Sequence, residues 1–106
     1  DLDKTEIASK VRDAELGIQK AEAQYTQTLL DSSLSLSSAR DDITNQRSQL
    51  EETKLQLDQS AYEPPAIKRR TELEYQSAER RLKQSIESYQ KKLKQSVARM
   101  SQASAE

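Results

Sequence analysis

The sequence predicts an all-α fold: a long antiparallel two-helix coiled-coil hairpin with its turn near Tyr62–Pro65. Three observations predict it. Pro64 and Pro65 are the only prolines in 106 residues and Gly17 is the lone glycine, so the chain holds one strong helix break. Apolar residues recur at helical spacing on both sides of that break. The composition, 33% hydrophobic and 33% charged, is too polar for an ordinary globular core yet usual for a long coiled coil. The chain is read as one hairpin over residues 1–106, with a first helix at about 3–61, a turn at 62–64 and a second helix at about 65–103. Starting at Asp1 without a Met, it is also read as a fragment of a larger protein.

The first helix has a start signal. Asp3 is placed to cap it, Glu6 completes an Asp-x-x-Glu box, and Leu2 and Ile7 occupy the two staple positions. A heptad seam follows as Ile7, Val11, Ala14, Ile18, Ala21 and Tyr25. The step of four from Tyr25 to Leu29 is a stutter. The seam then resumes as Leu29, Ser32, Leu36, Ala39, Ile43, Gln46, Leu50, Thr53 and Leu57. The Ser-rich stretch Asp31–Ser38 is a poor helix former. A break there would give three helices, as in a spectrin-like bundle; the absence of Gly and Pro within it argues for one continuous helix.

The break itself reads as a tip. The residue before a proline is pushed out of the helical region, whereas proline suits the first turn of a new helix. The second helix then carries Ile67, Thr71, Tyr75, Ala78, Leu82, Ile86, Tyr89, Leu93, Val97 and Met100. From Tyr75 this is an 11-residue repeat, which predicts a nearly straight helix pair.

Folding the chain at Tyr62–Glu63 brings the two seams into register where facing residue numbers sum to about 125. Leu50 then faces Tyr75, Ile43 faces Leu82, Ala39 faces Ile86 and Leu36 faces Tyr89; Leu29 falls near Val97 and Tyr25 near Met100. Small residues mostly face large ones, as interdigitated packing requires. Residues 1–19 have no partner in this register, yet they carry Ile7, Val11 and Ile18. A continuation of the second helix, or another chain, is expected to cover that stripe.

Charge is divided between the halves. Residues 1–61 carry 12 acidic and 7 basic side chains, and residues 62–106 carry 6 and 10. A basic helix lying against an acidic one explains this better than nucleic-acid binding, so no nucleic-acid partner is expected. Without His or Cys, most nucleophile–base pairs and soft-metal sites are excluded. The lone Gly17 cannot form a phosphate-binding loop. Adjacent carboxylates such as Asp41-Asp42 diverge on a helix. The expectation is therefore no enzyme, no cofactor, no metal and no membrane span within this stretch.

Two segments carry a resemblance to a known family. Leu2-Asp3-Lys4-Thr5-Glu6-Ile7 resembles the exit from the first half of the biotinyl/lipoyl-like domain of membrane fusion proteins, the periplasmic adaptors of HlyD-like type. Gln59-Ser60-Ala61-Tyr62-Glu63-Pro64-Pro65-Ala66 looks like hairpin tips in some members. The resemblance covers essentially the whole chain as the family's α-helical hairpin. It implies a structural part in an efflux or type I-like secretion system of the cell envelope, with the parent anchored in the inner membrane and the hairpin in the periplasm.

Its implied partners are an outer-membrane channel of the TolC type at the tip, an inner-membrane transporter through other domains, and neighbouring protomers. It also implies that the missing partner of residues 1–19 is the returning end of the second helix. The tip residues expected to dock are Ser60, Tyr62, Glu63, Pro65, Ile67 and Arg69. One family pattern does not align: of Arg-x3-Leu-x6-Ser/Thr, Arg47 is followed four residues on by Glu51, and Arg69 by Leu73 but then by Arg80. This departure sets the chain apart from members that dock through that motif.

Overall fold

The computed structural model describes residues 2–105, with side chains described for residues 2–102. It is an all-α helical hairpin. Helix α1 spans Leu2–Gln59, a 3-10 turn spans Ser60–Tyr62, and helix α2 spans Pro65–Ala105. α1 begins at Leu2, so Asp3 lies inside its first turn rather than ahead of it. A carboxylate there still meets the positive end of the helix dipole. Leu2 and Ile7 are both exposed, so the hydrophobic staple is not made.

α1 is continuous through Asp31–Ser38, which overturns the three-helix alternative. Serine costs a helix only a few tenths of a kcal/mol each relative to good formers. Hydroxyls can also be satisfied within the helix: Thr28 donates to the Gln24 carbonyl at 2.9 Å and Thr44 to the Arg40 carbonyl at 3.1 Å.

Contacts divide the chain into two compact units, Leu34–Lys94 and Asp1–Ser33 with Gln95–Glu106. In the first, which contains the turn, α1 buries or half-buries Leu36, Ala39, Ile43, Gln46, Leu50, Thr53 and Leu57, a heptad. α2 answers with the heptad Thr71, Tyr75, Ala78, Leu82, Ser85, Tyr89 and Lys92, flanked by half-buried Glu72, Ser77 and Ile86. The tightest positions are small: Ala78 is 2% exposed, and Ala39, Thr53, Thr71 and Ser85 are all buried. Small residues let the two backbones approach closely, while Leu50, Tyr75 and Leu82 fill the half-buried margin.

The 11-residue repeat expected for α2 is covered in part. Because α1 presents a heptad, the contacting face of α2 also follows that period, from which a stripe of about 3.67 residues per turn slowly drifts. Leu93 and Val97 are exposed, whereas Ile86, Tyr89 and Met100 of the same repeat are half-buried.

Two hydrogen bonds join the helices in this unit. Ser85 donates to Asp42 Oδ2 at 2.8 Å, and Arg40 Nε donates to the Tyr89 hydroxyl at 3.4 Å, with its guanidinium 6.0 Å from the ring centroid. The hydrogen bond that Arg40 donates to the Tyr89 hydroxyl pushes the Arg40 pKa further up. Their residue numbers sum to 127 and 129. Helical side chains lean about one position toward their own N-terminus, so such contacts overshoot the backbone register by about two. The two contacts therefore mark a register of about 125 to 127, at or slightly above the expected sum. The buried hydroxyls are otherwise satisfied locally: Thr53 donates to Leu50 O, Ser60 to Leu57 O and Thr71 to Ile67 O.

In the other unit, side-chain burial among the described residues is confined to Ser32, with Thr28, Ser96 and Met100 half-buried. Residues 2–27 are exposed throughout, including Ile7, Val11 and Ile18. Ser32 is buried and its hydroxyl has no partner.

Candidate docking tip

The turn is built from its two prolines. Glu63 is extended, φ −83° and ψ 161°, the conformation a residue before proline is driven to adopt. Its N–H donates to the Ser60 carbonyl at 3.0 Å, which closes the last turn of the 3-10 segment. The Pro64 carbonyl accepts the Lys68 N–H at 3.0 Å, so Pro64 is the cap of α2 and Pro65 its first residue. The four N–H groups at a helix start lack partners in the helix; two prolines here remove two of them outright. The chain reverses without a glycine and without any positive φ among the described residues.

The structure separates the six expected docking residues into different environments. Tyr62 is 100% exposed, so its ring does not pack back on Ile67. Glu63 and Pro65 are exposed beside it, and Ile67 and Arg69 are exposed on the first turns of α2. Arg69 Nη1 lies 3.5 Å from Glu72 Oε2 one turn on, an exposed pair. Ser60 is buried, 3% exposed, and its hydroxyl donates to Leu57 O at 2.6 Å. Its place is inside the turn, where it holds the end of α1 in shape. A shallow groove lies behind the tip, between Gln56, Gln59 and Glu63 on one side and Ile67, Arg70 and Glu74 on the other.

The sequence reading missed two residues near this end. Leu55 and Leu73 are exposed large apolar side chains a few residues below the turn, off both seams. The signal was available: each is a leucine that interrupts an otherwise polar outer face.

The tip brings several side-chain chemistries to one end of the described helices. It offers one aromatic, apolar patches, carboxylates and guanidinium groups on a rigid reversal. No group of three or more metal-ligating side chains occurs among the described residues. No helix among them is long and apolar enough to cross a membrane. Compared with known proteins, the chain matches no family model, no curated protein and no solved structure.

Proposed function

We propose that this hairpin is the assembly module of a periplasmic adaptor of the membrane fusion type, and that its tip docks an outer-membrane channel. The observation that carries the reading is the fully exposed Tyr62 on a turn rigidified by Pro64 and Pro65. An exposed aromatic on a pre-organised support suits an interface anchor, because little ordering entropy is lost on binding. The contact uses Tyr62, Glu63, Pro65, Ile67 and Arg69, with Ser60 as the residue that shapes the turn. In this reading the inner-membrane transporter is met by other parts of the adaptor, and neighbouring hairpins meet through their outer faces, basic on α2 and more acidic on α1. Such exposed pairs select register and partner, each contributing roughly 0–1 kcal/mol.

A second reading has its own support. The exposed seam at Ile7, Val11 and Ile18 favours a scaffold coiled coil that binds a partner helix. The test is a photo-crosslinking residue placed at position 62 in cells, with position 45 as control. The adaptor reading expects an adduct with an outer-membrane channel protein from position 62 alone. Adducts confined to other proteins, or none, contradict it.

A further inference from the structure

We propose that the exposed seam of α1 between Ile7 and Tyr25 is the docking face for a second copy of this chain, in parallel orientation. In the sequence this face is a heptad seam of its own, ending at the stutter between Tyr25 and Leu29. Ile7, Val11 and Ile18 are 62%, 52% and 59% exposed, a row of β-branched side chains along one side of a helix. In heptad terms Val11, Ile18 and Tyr25 take the a positions, and Ile7, Ala14 and Ala21 the d positions. β-Branched residues at a favour two parallel strands when Leu fills d; with Ile7, Ala14 and Ala21 at d, the orientation is left to charge.

Charge selects the orientation. In a parallel pair the residue before an a position faces the residue five places further on in the other copy. Lys10 then faces Glu15 of the second copy, and symmetry makes this contact twice. Glu22 meets Gly17, which adds no charge. In an antiparallel self-pair a positions face d positions; with Ile18 opposite Ala21 and Tyr25 opposite Ala14, Glu15 falls on the same flank as Glu22 of the other copy. That repulsion also occurs twice. Lys4, at the preceding a position, costs stability but fixes register, as a lysine at a single a position does elsewhere. The inference goes beyond the tip reading and does not depend on it: it concerns the other unit of the chain, and its test leaves Tyr62 untouched.

The test uses the whole 106-residue chain with a single cysteine under mild oxidation. Val11→Cys is expected to form a symmetric disulfide dimer about tenfold faster than Ala23→Cys, which lies on the opposite face. Lys10→Glu is expected to reduce dimer by about tenfold, and adding Glu15→Lys to the same chain to restore it. The proposal is overturned if Val11→Cys crosslinks no faster than Ala23→Cys, as a face reserved for a different helix requires. It is equally overturned if a mixture of Ala14→Cys and Tyr25→Cys chains forms the mixed disulfide faster than Val11→Cys forms its symmetric one.

Discussion

Ser32 and Ala78 show how much a single side chain decides in so thin a core. Ser32 is buried with an unpartnered hydroxyl, so it loses its hydration without a replacement bond. Ser32→Ala is expected to stabilise the chain by about 1 kcal/mol, by removing that group and improving helix propensity. Thermal unfolding followed by circular dichroism reads this as a raised midpoint. Ala78, 2% exposed, is buried between the helices. Ala78→Leu forces three more heavy atoms into that buried position and is expected to cost about 1–3 kcal/mol, a lowered midpoint in the same measurement. Buried Thr53, Thr71 and Ser85 behave differently from Ser32, since each hydroxyl has an acceptor. Spacing alone places all of these but Ser85 on the seams. Whether a hydroxyl finds an acceptor depends on rotamer and neighbours, which a sequence does not display.

At the scale of the element, α1 was the easier helix to read. Its seam from Ser32 to Leu57 is the set of positions the structure covers, including the polar Gln46 and Thr53. α2 was legible over most of its seam: Ile86, Tyr89 and Met100 are half-buried as expected, and only Ile67, Leu93 and Val97 are exposed. What spacing did not show is that the contact also follows the heptad of α1, so that Ser85 is buried and Lys92 half-buried. A period read from one helix cannot reveal the period its partner imposes. Two substitutions separate the descriptions. Leu82→Ala, on the shared seam, is expected to cost about 1–2 kcal/mol, somewhat below a fully buried site. Val97→Ala is expected to stay within about 0.5 kcal/mol. If the 11-residue seam held the helices together, Val97→Ala would cost as much as Leu82→Ala in denaturant titration.

For the whole molecule, the hairpin was legible because a single break interrupts two periodic helices, and because hydrophobic spacing survives even where the residues are polar. The position of the turn followed from Pro64 and Pro65 alone. The candidate site was legible in part: Tyr62 follows from its place at the turn, but its full exposure, and the burial of Ser60 within the same turn, depend on how the 3-10 segment closes. The tip has meaning only if α1 and α2 pair in the register that Asp42–Ser85 and Arg40–Tyr89 mark. The most direct measurement is oxidation of a chain carrying Ala39→Cys and Ile86→Cys, with mass and gel mobility recorded under non-reducing conditions. The hairpin predicts rapid intramolecular disulfide formation without a change in oligomeric mass. A chain that resists crosslinking, or forms the bond only between molecules, contradicts it.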